Sequence, residues 1–89
     1  MTKEQYNDIV QYLETQITRV EMTIANIEDQ LGCLERMLEI HRNRNEWGSY
    51  GTTLDRMQSR LREREYWTGH LKDCEKTLAE AKRYGIKTE

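Results

Sequence analysis

Between Val10 and His41 the apolar residues fall at alternating steps of three and four. Val10, Ile17, Ile24, Leu31 and Leu38 make one row, and Leu13, Val20, Ile27 and Leu34 make a second, closed by His41. A repeat of seven residues held over more than four heptads is the seam of a coiled coil, because that period keeps one stripe turned toward a partner helix. The chain must therefore hold at least one long helix with something laid against it. The absence of proline agrees, since proline removes a helix donor and clashes with the preceding turn.

Local signals place the ends. Thr2 is a good N-cap and Gln5 stands where a capping box needs it. The first helix is expected over about 3–44. Gly32 lies inside it and costs about 1 kcal/mol relative to alanine. Asn45-Glu46-Trp47-Gly48-Ser49-Tyr50-Gly51 breaks the period with two glycines, so a loop is expected over about 45–52. Thr52 or Thr53 then caps a second helix over about 53–84, with Gly85 as the C′ residue and a short tail over 85–89. The apolar row of that helix is poorer: Leu54, Met57, Leu61, Arg64, Trp67, Leu71, Cys74, Leu78 and Ala81. Two successive short steps through Arg64 predict a stammer there.

A short link between long helices makes them antiparallel neighbours. The expected fold is all-α: one helical-hairpin domain over 1–89, coiled-coil-like, assembling into a homo-oligomeric helix bundle. With the turn near Gly48, Leu61 faces Arg36 and Met37, Leu71 faces Asn26 and Ile27, and Leu78 faces Arg19 and Val20. At 1.5 Å per residue the first helix is roughly 63 Å long and the second roughly 48 Å. Tyr6, Ile9, Val10, Tyr12 and Leu13 are then the candidate oligomer interface, an apolar end that the second helix does not reach. Two helices bury only a narrow stripe, which also favours self-association.

Charge is segregated. Residues 1–40 carry eight acids and three bases, and residues 41–66 carry six of the nine arginines. The candidate partner- or anion-binding set is Arg42, Arg44, Trp47, Tyr50, Arg56, Arg60, Arg64 and Trp67, because arginine offers planar paired donors and aromatic rings offer stacking faces. A solvated, salt-bridged helix surface accounts for the same residues. The overall charge of −2 and pI of about 5.7 are unlike a dedicated nucleic-acid binder. The acidic face of the first helix, Glu14, Glu21, Glu28, Asp29, Glu35 and Glu39, could instead enter a basic groove on another protein.

Catalysis and metal binding are not expected. Cys33, Cys74, His41 and His70 have no metal-ligand spacing, no nucleophile and base stand together, and no glycine loop cradles phosphate. No cofactor is implied. No apolar run approaches the roughly 20 residues of a membrane span, and a chain with two cysteines and no secretory pattern is expected in the cytoplasm. The resulting expectation is a small non-enzymatic protein that binds itself and another protein, blocking or recruiting it. Its size and type suit an accessory protein or inhibitor of a phage or mobile element, acting on a nucleic-acid-handling system. The alternatives are an oligomeric module holding a nucleotide or short nucleic acid at its Arg/aromatic tip, and a structural coiled-coil spacer.

Overall fold

The structure, a computed structural model, describes residues 2–85. It is two long helices, α1 (Lys3–Asn43) and α2 (Trp47–Gly85), folded back on each other as a hairpin about 67 Å long. The helical-hairpin expectation is met. Among the described residues no strand occurs, and no helix is long and apolar enough to cross a membrane. The expected tail beyond Gly85 lies outside the described residues.

The N-terminus of α1 follows from its sequence. The Thr2 hydroxyl accepts from the Gln5 backbone N–H at 3.1 Å, and the Gln5 side-chain oxygen accepts from the Thr2 N–H at 3.0 Å. Two donors that the first turn leaves unpaired are thereby satisfied.

The link is shorter than the sequence suggests. Asn45 adopts φ 57°, the left-handed conformation. Its N–H donates to the Arg42 carbonyl at 3.2 Å, and the Glu46 N–H donates to the His41 carbonyl at 2.9 Å. These paired reversed bonds are a Schellman stop, which usually takes glycine but accepts asparagine. The chain turns there, and Tyr50 already donates to the Glu46 carbonyl at 2.9 Å. Trp47 to Gly51 are therefore helical, not loop. Thr52 does not cap α2: its hydroxyl donates back to the Gly48 carbonyl at 3.2 Å, inside the helix. Gly48 and Gly51 misdirect a reader because glycine marks turns more often than helix interiors.

Moving the turn from Gly48 to Asn45 evens the two helices, at 41 and 39 residues. It also slides the pairing by nearly one heptad. Tyr6 lies against Gly85, where a Cβ would collide with its ring. Gln30 and Leu34 share a groove with Arg56 and Arg60, in place of the expected facing of Leu61 with Arg36 and Met37. A slip of this size preserves the heptad phase, so the same stripe of α1 still faces its partner.

That stripe is the core. Tyr6, Val10, Leu13, Ile17, Val20, Ile24, Ile27, Leu31, Leu34, Leu38 and His41 are all buried or half-buried, with Val20, Ile27 and Leu31 the most enclosed. On α2 the inward row is Tyr50, Thr53, Met57, Arg60, Trp67, Leu71, Cys74, Leu78, Ala81 and Gly85; Arg64 holds the intervening position of this three-four alternation but is exposed. No stammer is present. Leu54 and Leu61, expected in the seam, stand beside it and are 37% and 38% exposed. Thr53, 3% exposed, holds the seam position that Leu54 was expected to take.

Because Gly48 and Gly51 are helical and a Cβ on either meets nothing within 4 Å, alanine at each should stabilise the hairpin by about 0.5–1 kcal/mol. Thermal or urea unfolding followed by circular dichroism checks this, and a loss of stability would place these residues in a turn.

Candidate interaction surface

A hairpin of two rods has two broad faces, and the heptad assigns residues to them. Residues just before a seam position lie on one face, and residues just after it lie on the other. In an antiparallel pair the same rule holds on both helices, so like flanks meet. The geometry agrees. Lys82 Nζ reaches Glu14 Oε1 at 3.9 Å, each following a seam residue. On the opposite side Gln30, Cys33, Arg56, Ser59 and Glu63, each preceding one, line a single open groove of about 590 Å³.

The face that follows the seam is acidic. On α1 it carries Glu14, Glu21, Glu28 and Glu35 at successive heptads, with Glu39 beside them, all exposed. The helix rise sets the repeated glutamates roughly 10 Å apart. The α2 half of this face carries Trp47, Leu54 and Leu61 toward the turn, which are 58%, 37% and 38% exposed, and Glu65, Lys72, Glu75 and Lys82 farther along. Lys82 meets Glu14 at the far end, but Glu21, Glu28 and Glu35 have no ion pair among the described residues. Glutamate beside leucine is not a complementary pair within one hairpin. Both kinds of side chain are left presented outward.

The face that precedes the seam is nearly neutral. Its α1 half, read from Ile9 to Ile40 at the positions before the seam, contains no acid, although Asp29 borders it and lines the groove. It holds Ile9, Tyr12, Met37 and Ile40, and α2 adds Tyr66 and Tyr84, six of the ten exposed large hydrophobic residues. Tyr66 stacks on His70 with centroids 6.4 Å apart and stands edge-on to Trp67 at 5.3 Å. The Cys74 sulfur lies 3.8 Å from His70 Nε2.

The arginine and aromatic residues of the expected tip site divide among these surfaces. Arg42 lies in a hollow with Glu35, Glu39 and Tyr50 on the acidic face. Trp47 is exposed on the same side and touches Tyr50 edge-on at 5.6 Å. Arg56 lines the groove on the other face beside Arg60, Asp29 and Glu63. Arg60 occupies a seam position and turns its guanidinium onto Glu63 at 2.8 and 2.9 Å. Its stem then runs over the seam, as long cationic side chains do at helix interfaces. Arg64 is also at a seam position, and Trp67 and Tyr50 are half-buried in that row. Arg44 sits at the turn, 3.9 Å from Glu46. The set does not converge on one point.

The expected oligomer patch divides too. Tyr6, Val10 and Leu13 are half-buried in the seam, covered by an α2 long enough to reach them. Ile9 and Tyr12 remain exposed, at 42% and 63%, on the neutral face. The cysteines are free and far apart, Cys33 exposed in the groove and Cys74 half-buried in the seam. No group of three or more potential ligands for a metal ion occurs among the described residues.

His41 closes the seam at the turn. Its Nδ1 is buried without a hydrogen bond, 3.8 Å from a Glu46 carboxylate oxygen. The sequence shows the glutamates as an acidic face of the first helix; that Leu54 and Leu61 share this face is hidden, because hydrophobicity alone assigns both leucines to the core.

No family model, curated protein or solved structure matches this chain. The class that fold and surface define is an antiparallel helical hairpin with one acidic and one neutral face.

Arg64 has the heptad phase of the seam, but its side chain is exposed and makes no ion pair among the described residues. Its replacement by leucine should stabilise the hairpin by about 1 kcal/mol, part of the roughly 1.5–3 kcal/mol that full burial of leucine contributes. Chemical denaturation measures it. Destabilisation would show that Arg64 does not face α1.

Proposed function

We propose that this chain is a small non-enzymatic interaction protein that binds and blocks or recruits another protein, and that its acidic face makes the contact. The observation that carries this reading is the row of Glu21, Glu28 and Glu35, which make no ion pair among the described residues, on the face that also exposes Leu54, Leu61 and Trp47. Apolar side chains flanked by like charges favour a partner of opposite charge, and such fields act on encounter rate as well as on affinity. The fitting partner presents a basic, partly apolar surface, such as the nucleic-acid-binding groove of another protein. Occupying that groove would exclude its polyanion. The reading suits an inhibitor or accessory protein of a phage or mobile element, working in a reducing cytoplasm that keeps both thiols free. An anion-binding role for the arginines has less support, since Arg42 and Arg56 lie on opposite faces and Arg60 is paired with Glu63.

The test is affinity capture with the wild-type chain and with a Glu21→Gln/Glu28→Gln/Glu35→Gln variant. These exposed changes leave the seam intact. The expected partner is basic, is released by moderate salt, and loses nucleic-acid binding when the chain is added. Capture should fall by about tenfold or more in the triple variant, if each lost charge contact is worth about 0.5–1 kcal/mol. A partner retained equally by the neutralised face would overturn the reading.

A further inference from the structure

The neutral face is the less charged of the two, yet it exposes the most apolar surface. Ile9 and Tyr12 lie near one end of α1, and Met37 and Ile40 near the other. The two pairs are equally distant from Ile24 and Ala25. The Tyr6–Gly85 contact and the turn at Asn45 put Tyr66, itself 66% exposed, level with that midpoint. One face thus carries an apolar pair at each end and an aromatic at its centre. A second copy related by a two-fold axis through the centre would set each pair on the other pair.

We infer that the neutral face is a two-fold interface with a second copy of this chain, packed α1 on α1 and α2 on α2 in opposite directions to form a four-helix bundle. Along α1 the axis sets Ile9 against Ile40 of the second copy, Tyr12 against Met37, and Gln16 against Cys33. On this half Asp29, which borders the face at the groove, comes level with Val20 of the second copy and not with another acid. Along α2 it sets Glu63 against His70, and Arg56 toward Glu80. The cationic end of each α2 thereby meets the acidic end of the other. The opposite face could not do this, since reversal about its own centre would oppose Glu14 to Glu35 and Glu21 to Glu28, and like charges facing each other repel.

Self-association also answers a shortage within the hairpin. Only Val20, Ile27, Leu31 and Thr53 are buried among the described residues, and none of them completely. A single seam is a slim core for two rods of this length. Covering the neutral face would add a second apolar layer on the same helices. The inference is independent of the acidic-face reading, since it uses the other side of the molecule.

Sedimentation of the intact chain over a range of concentrations tests it. A dimer is expected, with Ile9→Asp or Ile40→Asp weakening it by more than about tenfold because a two-fold interface carries each change twice. Leu61→Asp, on the acidic face, should leave it unchanged. With Cys33 and Cys74 both replaced by serine, Tyr66→Cys should form a covalent dimer with a short bismaleimide, and Gln58→Cys should not. Mixing an Ile9→Cys chain with an Ile40→Cys chain in that background should cross-link the two to each other, while neither links to itself. A monomer at every concentration, a dimer broken by Leu61→Asp but not by Ile9→Asp, or no link through Tyr66→Cys would each overturn the inference. Because Ile9, Ile40, Gln58, Leu61 and Tyr66 are exposed, circular dichroism should show each of these chains as helical as its parent, wild type or the Cys33→Ser/Cys74→Ser background.

Discussion

Everything in this molecule depends on one strip of contact between two helices. Each helix turns its seam row inward, and a row of seven-residue period is only as wide as two side chains. Beside it, the exposed Lys82–Glu14 ion pair is a minor link between α1 and α2 along 67 Å of length. The hydrophobic contribution is therefore concentrated in a few enclosed residues, Val20, Ile27 and Leu31 above all, and the rest of each helix circumference remains solvent-facing. A rod of this kind separates its problems cleanly. Stability resides on the strip, and whatever the protein recognises must be read from what flanks it.

The strip also explains where the arginines go. A seam position filled by arginine need not break a coiled coil when the aliphatic stem can lie across the neighbouring helix and the charge can leave at the edge. Arg60 does this and finds Glu63 one turn on. As an exposed pair, Arg60 and Glu63 contribute little to stability. What they do is let α2 keep an unbroken heptad through a polar stretch. A cluster that looks like a ligand site in the sequence is thus spread around a helix by its own periodicity. Arg42 and Arg56 end on opposite faces because one follows a seam residue and the other precedes one.

How much of this was legible in the sequence varies with the strength of the local signal. The α1 seam, its Thr2–Gln5 cap and the hairpin topology follow from residues whose chemistry has one sensible use. The α2 seam does not, because Leu54 and Leu61 are better hydrophobes than Thr53 and Arg60, and following hydrophobicity alone selects the wrong neighbours. The turn is hidden for a similar reason. Gly48 and Gly51 are louder than Asn45, yet the left-handed stop is made by the asparagine. That one misplacement shortens α2 in the sequence reading and invents a bare end at Tyr6, Val10 and Leu13. The pairing register, which decides which flanking residues share a face, is set by the turn and cannot be read from either helix alone.

Once the register is fixed, the two flanks prove chemically unlike, and the difference has a physical consequence. A face with glutamates at four successive heptads repels its own copy, whereas a face whose α1 half has no acid at the positions before the seam does not. Any self-association is thereby steered to the neutral side, and the acidic side stays open in the assembly as in the single hairpin. In a two-fold pair the glutamate rows would lie on opposite outer surfaces, pointing away from each other, and the assembly would be bivalent for a basic partner. Bivalency multiplies the hold on a partner that is itself repeated or dimeric, without any new contact within each site. The same charge asymmetry that keeps two copies from meeting the wrong way round thus leaves two identical surfaces free for something else.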